Sequence, residues 1–163
     1  MSVDVIIVMG VSGSGKTTIA QKLADRLGWQ FADADDFHPP ENVEKMSAGM
    51  PLNDNDRAPW LQILRSQIDL WLDCDRPTVL ACSALKSRYR CLLGSERSQV
   101  QLVYLKGEFT KILQRMQQRD NHFMKPEMLR SQFDALEEPE DAIAVDIGED
   151  PDTIVDRICQ SLS

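Results

Sequence analysis

Short apolar runs alternate with longer amphipathic segments along the chain. Five runs of four or five residues lack helical periodicity, which is typical of buried strands; they comprise residues 5–9, 30–33, 78–81, 101–105 and 142–146. Apolar stripes at helical spacing lie between them. The alternation predicts an α/β fold with a five-stranded parallel sheet. Right-handed crossovers would cover both sheet faces with helices, giving three layers, and would gather the strand carboxyl ends at one ligand-binding edge.

Length and composition limit the possible classes of protein. With 163 residues and 42% hydrophobic content, the chain suits one domain over residues 1–163. The longest apolar run, residues 5–9, is too short to span a membrane and follows an acidic residue rather than the basic cluster of a signal peptide. The net charge of -8 disfavours binding to nucleic acid or anionic lipid. We therefore predict a cytoplasmic protein with no nucleic-acid or membrane partner.

A glycine-rich segment follows the first predicted strand. Residues 10–17 (GVSGSGKT) fit G-x-x-x-x-G-K-[ST] and open a predicted helix, which is the arrangement of a phosphate-binding P-loop. Glycines let backbone N–H groups approach phosphate oxygens, and the helix N-terminus favours negative charge. We predict that Lys16 is catalytic and reaches the β- and γ-phosphates of ATP, and that Thr17 supplies a hydroxyl to Mg²⁺. The predicted nucleotide-binding residues of this segment are Gly10, Ser12, Gly13, Ser14, Gly15, Lys16, Thr17 and Thr18.

Two alternating aspartates, Asp33 and Asp35, end the second predicted strand, which we expect to neighbour the first. In an extended segment they point to the same side. One would hold Mg²⁺ through water while the other accepts a hydrogen bond from the acceptor hydroxyl; we assign these roles to Asp33 and Asp35, respectively. Phosphoryl transfer has a loose transition state, so such positioning matters more than a strong base. A solvated acidic turn is the alternative, above all for Asp36.

Residues 115–125 (RMQQRDNHFMK) form a polar, basic segment before a helix predicted to begin at Pro126. Arg115 and Arg119 lie four residues apart and share one helical face. We predict that residues 115–125 form a mobile lid in which both arginines bind the nucleotide and Arg119 stabilises charge on the transferring phosphate. The alternative is that both arginines only decorate a solvated helix.

A series of further short motifs occurs in order along nearly the whole chain. They comprise residues 35–39 (DDFHP), 42–46 (NVEKM), 51–57 (PLNDNDR), 59–61 (PWL), 82–86 (CSALK), 89–90 (YR), 104–107 (YLKG), 122–123 (HF) and 132–139 (QFDALEEP). In this combination the sequence closely resembles the gluconate kinase family of small P-loop kinases. The resemblance implies a shikimate-kinase-like domain, dependence on ATP and Mg²⁺, phosphorylation of D-gluconate to 6-phospho-D-gluconate, and a homodimer.

A gluconate pocket must accommodate a carboxylate and several hydroxyls. Arg57, Lys86 and Arg90 supply positive charge from segments predicted to lie at the ligand edge, and arginine can grip a carboxylate with two parallel hydrogen bonds. By resemblance, Asp35 and His38 would contact acceptor hydroxyls. For His38 the alternative is a buried histidine bonded to the backbone. The predicted substrate-binding residues are Asp35, His38, Arg57, Ser83, Lys86 and Arg90.

Other functions remain open from the sequence. A kinase for another small polyol or acid, such as shikimate, would share the scaffold, but the glycine triplet expected after the third strand of a shikimate kinase is replaced by residues 82–86. A regulator that binds ATP without turnover would show no acceptor-dependent ADP release. No N-K-x-D motif of a guanine-nucleotide switch is present. The paired aspartates and the basic acceptor motifs favour a kinase.

Overall fold

The computed structural model describes residues 3–117 and 126–162, which contain a five-stranded sheet. The strands are β1 Val5–Met9, β2 Gln30–Asp33, β3 Thr78–Ala81, β4 Val100–Lys106 and β5 Ile143–Asp146. Their order is β2-β3-β1-β4-β5, and each neighbouring pair is parallel. The predicted parallel sheet is therefore confirmed. The predicted bounds hold for β1, β2 and β3, whereas β4 extends one residue further at each end and β5 begins one residue later.

Helices and one 3-10 turn connect the strands. They are α1 Lys16–Leu27, the 3-10 turn Ala34–Phe37, α2 Pro40–Ser47, α3 Asp54–Asp73, α4 Ser87–Leu93, α5 Phe109–Gln117, α6 Pro126–Ala135 and α7 Pro151–Leu162. Asn53 and Asp56 form a capping box at the start of α3, in which each side chain accepts the other residue's backbone N–H at 2.8 and 3.0 Å. None of the described helices is both long and apolar enough to cross a bilayer.

Two apolar cores cover the two faces of the sheet, as the predicted three layers require. Alternate residues of β1 enter different cores: Ile6 and Val8 pack with residues of α1 and α7, whereas Ile7 and Met9 pack with residues of α3. All five residues of β1 are buried. A strand buried on both faces must be apolar throughout, which is why β1 shows a continuous run rather than an alternating pattern.

The expectation that β2 lies beside β1 is wrong, because β3 lies between them. All four residues of β3 are buried, while β2 is partly exposed throughout. A fully buried strand needs a neighbour on each side, so β3 takes the inner position and β2 the edge. The residues that follow β2 consequently face the loop after β1 across the end of β3.

Candidate active site

The segment between β1 and α1 folds as the loop that the motif predicts. Gly13 and Gly15 have φ angles of 81° and 93°, in the left-handed region that favours glycine. A Cβ atom on Gly13 would lie 2.8 Å from Cγ of Met116, so the loop packs on α5 too closely for a larger residue. The helix α1 begins at Lys16. Its N-terminus therefore offers unpaired backbone N–H groups and the positive end of its dipole to a phosphate.

The Lys16 side chain bends back along this loop. Its Nζ donates to the carbonyl oxygen of Val11 at 3.2 Å. Burial lowers the pKa of Lys16, against the raising effect of nearby groups that include the Asp35 and Asp33 carboxylates. A cation half-removed from water interacts more strongly with an anion than an exposed one does. Lys16 thus lies along the loop as a partly buried cation, and its role in binding phosphate oxygens stays a prediction.

Thr17 and Asp33 come together where α1 begins and β2 ends. The Thr17 hydroxyl donates to Asp33 Oδ2 at 3.2 Å. A hydroxyl and a carboxylate fit Mg²⁺, which takes oxygen ligands and is usually held by few protein groups together with phosphates and water. Within residues 3–117 and 126–162, no group of three or more His, Cys, Asp or Glu side chains is placed to hold a metal by itself. A cation at Thr17 and Asp33 would therefore need the nucleotide phosphates as further ligands.

Asp35 lies in the 3-10 turn after β2 and not in the extended segment that the spacing suggested. The Asp33 carboxylate accepts the backbone N–H of Asp35 at 3.0 Å, and this local bond turns the chain away from a strand. The His38 imidazole, whose Nε2 lies 3.6 Å from Oδ1, holds the pKa of Asp35 below its ordinary value, against the opposing effect of desolvation, and the Lys16 charge lowers it further. Asp35 is consequently a carboxylate at neutral pH.

His38 is held by side chains rather than by the backbone. Its ring stacks on Trp60 with centroids 4.3 Å apart and an interplanar angle of 16°. Its Nδ1 lies 3.2 Å from Nδ2 of Asn42, and its Nε2 lies 3.6 Å from Oδ1 of Asp35. The imidazole is therefore fixed on one face and on both nitrogen-bearing edges. The alternative of a histidine bonded to the backbone is not what these contacts show.

Arg57, in the first turns of α3, belongs to a cluster of charge around Asp54. Its Nη1 lies 3.3 Å from the Tyr89 hydroxyl and 3.9 Å from Asp54 Oδ1. Lys86 Nζ is 3.6 Å from the same oxygen, and Arg88 contacts the other one. One carboxylate thus attracts three cations, which leaves this part of the surface with excess positive charge suited to an anionic acceptor.

A cavity of about 700 Å³ connects the loop to the acceptor residues. Its lining includes these predicted residues: Ser12, Gly13, Gly15, Lys16, Thr17, Thr18, Asp33, Asp35, His38, Arg57 and Ser83. Gly10 and Ser14 lie outside the lining and support the loop, since the Gly10 N–H donates to the Ser83 carbonyl at 3.3 Å and the Ser14 N–H donates to the Val11 carbonyl at 3.2 Å. The volume is in the range of small-molecule sites.

Several predicted residues do not join this cavity. Arg90 is buried, and its guanidinium donates to the carbonyl oxygens of Ala84, Leu85 and Glu137 at 2.8, 3.2 and 2.8 Å. These bonds hold it to backbone acceptors outside the cavity lining, so its contact with substrate stays a prediction. Lys86 also lies outside the cavity lining, and its Nζ approaches the same Asp54 oxygen as Arg57.

The predicted lid is described only in part. The Arg115 guanidinium donates to the carbonyl oxygen of Ile147 and does not line the cavity. Arg119 and most of the predicted lid lie outside the described residues.

Comparisons with known proteins agree with this geometry. The profile of the shikimate kinase family matches residues 12–163. The chain is 40% identical to the thermosensitive gluconokinase of Escherichia coli over 99% of this chain and 89% of that protein. It is 47% identical to a probable gluconokinase of Mus musculus over 83% of each. The chain belongs to the gluconokinase family.

A solved gluconokinase structure extends the agreement to the fold. The crystal structure of a gluconokinase from Sinorhizobium meliloti matches with a TM-score of 0.86 at 38% identity, over 99% of this chain and 93% of that one. The family resemblance that the short motifs implied is therefore confirmed, as is the shikimate-kinase-like fold.

The structure assigns roles to gluconokinase motif residues that sequence reasoning missed. Gln132, from α6, accepts the Ser12 backbone N–H at 2.7 Å and donates to the Ser12 hydroxyl at 3.0 Å. Trp60 donates its indole N–H to the Ala34 carbonyl at 2.7 Å and so anchors the 3-10 turn. Asn42 holds His38. All three lie in the motifs that carried the resemblance, and no local pattern indicated their individual contacts.

Proposed function

We propose that this protein transfers the γ-phosphoryl group of ATP to D-gluconate, giving ADP and 6-phospho-D-gluconate. The observation that carries the proposal is a single cavity with Lys16 and Thr17 on one wall and Asp35, His38 and Arg57 on the other. Gluconate is the acceptor that family membership supports, because the relatives named above are gluconokinases. The arrangement brings the predicted phosphate-binding and acceptor-binding residues to one cavity, as direct transfer between two bound substrates requires.

The acceptor wall supplies the groups that gluconate requires. Arg57 would bind the sugar-acid carboxylate through charge-assisted hydrogen bonds. Asp35 would accept a hydrogen bond from the primary hydroxyl and align its oxygen with the γ-phosphorus. The pKa of Asp35 lies below its ordinary value, so the carboxylate is a weak base that positions the hydroxyl and receives its proton late, as a loose transition state permits.

The transfer exchanges one P–O bond for another. The hydroxyl oxygen of gluconate forms a bond to the γ-phosphorus while the bond from that phosphorus to the β–γ bridging oxygen breaks. ADP leaves with the electron pair of the broken bond, and the hydroxyl proton passes to Asp35. Lys16 stabilises the charge on the β- and γ-phosphate oxygens. Arg115 and Arg119 remain predicted nucleotide ligands, and Lys86 a predicted acceptor ligand.

The metal, the assembly and the location complete the proposal. Mg²⁺ bound at Thr17 and Asp33 would neutralise phosphate charge, and the 3.2 Å contact between these two side chains supports the assignment. We also propose a homodimer, which the family resemblance implies, and a cytoplasmic location, which the sequence composition predicts. Sedimentation of the purified chain tests the dimer, and ADP release in the presence of EDTA tests the metal.

The direct test is ADP release from Mg-ATP across gluconate, shikimate, glycerate and buffer alone. We expect strong release with gluconate only, and a product that 31P NMR identifies as a phosphate ester of the primary hydroxyl. Release with shikimate or glycerate instead would retain the kinase chemistry and overturn the acceptor. No release with any acceptor would favour the regulator that binds ATP without turnover.

A further inference from the structure

The Asn42 side chain occupies a position that decides how His38 is protonated. Asn42 lies on α2 and is 3% exposed. Its Nδ2 lies 2.9 Å from the carbonyl oxygen of Asp56 and 3.2 Å from Nδ1 of His38. A carbonyl oxygen can only accept, so the contact with Asp56 fixes which end of the amide is the nitrogen. The second N–H of the same amide then points at the imidazole.

This orientation determines the histidine tautomer. Because Asn42 Nδ2 is a donor, His38 Nδ1 must accept, and the proton of the neutral ring lies on Nε2. Nε2 is the nitrogen that lies 3.6 Å from Asp35 Oδ1. In this tautomer the ring presents an N–H to the carboxylate. In the opposite tautomer, lone pairs would face each other and Asp35 would turn away.

We propose that Asn42 is a positioning residue, which sets the Nε2–H tautomer of His38 so that His38 engages one oxygen of Asp35 and leaves the other for the acceptor hydroxyl. The tautomer assignment stands on geometry alone, whereas its effect on catalysis rests on the proposed function. The Trp60 stack supports the assignment because it prevents the ring from tilting out of the Asn42–Asp35 line.

The chain offers a matched control for docking of α2. Asn42 and Lys45 both attach α2 to Asp56, Asn42 through the backbone carbonyl and Lys45 through the carboxylate at 2.9 and 3.0 Å. Replacing Lys45 loosens the same junction without touching His38. If Asn42→Ala has an effect that Lys45→Met lacks, that effect therefore arises from the contact with His38 and not from the docking of α2.

Nitrogen NMR of the protein labelled with 15N-histidine tests the tautomer directly. The sequence has two histidines, His38 and His122, so His122→Gln assigns the signals. We expect an unprotonated, hydrogen-bonded Nδ1 and a protonated Nε2 for the neutral form of the His38 ring. Free imidazole already favours this tautomer, so the decisive variant is Asn42→Asp, in which a carboxylate should draw a proton onto Nδ1.

The outcomes separate clearly. A protonated Nδ1 in the wild-type protein, or an unprotonated Nδ1 in Asn42→Asp, would overturn the proposal. If Asn42→Asp does not fold, Asn42→Ala takes its place in the test. Loss of the Nδ1 hydrogen-bond signature in Asn42→Ala, together with its retention in Lys45→Met, would support the assignment. Persistence of the signature in Asn42→Ala would refute it.

Kinetics test the link to Asp35 through a double-mutant cycle with His38→Gln, whose amide donates to Asp35 without needing a tautomer. We expect Asn42→Ala to lower kcat/KM for gluconate by about 10- to 100-fold in the wild-type background, the range found when metal-bound histidines lose the residue that orients them. In the His38→Gln background the loss should shrink to less than about threefold. An undiminished loss would show that Asn42 acts only through docking. If the wild-type enzyme does not turn over gluconate, the proposed function fails while the NMR result still stands.

Discussion

The nucleotide wall of the cavity is formed mainly by one segment, residues 12–18 without Ser14, whereas the acceptor wall draws on the 3-10 turn, α2, α3 and the end of β3. The first wall is shaped mainly by backbone conformation, in which glycines provide close approach. The second is assembled by side chains that contact one another across long distances in sequence, such as Trp60 on His38 and Asn42 on Asp56. Phosphate binding therefore depends on a local motif, and acceptor binding depends on the tertiary fold.

On the nucleotide wall, removing the Lys16 charge should cause the largest loss of activity. We expect Lys16→Ala to lower kcat by about 100- to 1,000-fold, because a preorganised cation at the transferring phosphate is lost. The free energy of unfolding should change by less than about 1 kcal/mol, since the contact of Lys16 with the Val11 carbonyl is a local one. Steady-state ADP release measures kcat, and urea unfolding measures the free energy of unfolding. Lys22→Ala, at an exposed lysine of the same helix paired with Asp152, is the control, and wild-type turnover by Lys16→Ala would contradict the assignment.

On the acceptor wall, removing the Asp35 charge should lower activity nearly as much. Asp35→Asn keeps the size of the side chain and removes the proton acceptor, and we expect kcat to fall by about 100-fold. In the wild-type enzyme, His38 and Lys16 hold the pKa of Asp35 below its ordinary value. The rate should therefore stay constant through the mildly acidic range and fall only below the pH at which an ordinary aspartate protonates. Asp36→Asn, at a neighbouring aspartate outside the cavity lining, should leave kcat within about threefold. Equal losses in the two variants would contradict the role of Asp35.

A change at Arg57 should affect binding of gluconate at the acceptor wall but not binding of ATP at the nucleotide wall. We expect Arg57→Ala to raise the KM for gluconate by about 10- to 100-fold, the cost of one or two charge-assisted hydrogen bonds. The KM for ATP should change by less than about threefold. Arg88→Ala is the control, because Arg88 contacts the same Asp54 carboxylate but lies outside the cavity lining. Equal increases in both KM values would remove Arg57 from the acceptor site.

The smallest expected effect concerns the charge cluster beside the cavity. The Tyr89 hydroxyl and the Arg88 guanidinium lower the pKa of Asp54 to about 2. A depressed carboxyl pKa stabilises the folded state above the ordinary value, and that stabilisation is lost as the pH falls toward 2. We expect Tyr89→Phe to raise the pKa of Asp54, as followed by a carbon NMR titration of the carboxyl groups. Tyr104→Phe, whose hydroxyl contacts Glu138, should leave the Asp54 titration unchanged.

Features that depend on a single continuous segment could be predicted from the sequence. The strands β1, β2 and β3 and the loop of Gly13 and Gly15 were all predicted. Contacts between distant segments were not, since Arg90 carries the same charge whether it binds a substrate or three carbonyl oxygens.

The local errors have physical causes as well. The Asp33 side chain accepts the Asp35 N–H and replaces the expected extended segment with a 3-10 turn. The position of β2 at the sheet edge depends on how completely β3 is buried, which the length of an apolar run does not reveal. The family resemblance contained Asn42 and Gln132 within its motifs, but a motif alone does not state which atoms meet.

The contacts of Ser12 and Gly13 connect the phosphate loop to two helices that are distant in sequence. Met116, near the end of α5, packs against Gly13. Gln132, in α6, accepts the Ser12 backbone N–H and donates to the Ser12 hydroxyl. The backbone that meets a phosphate is therefore braced by side chains from both α5 and α6, so the shape of a local motif depends on the packing of remote parts of the chain.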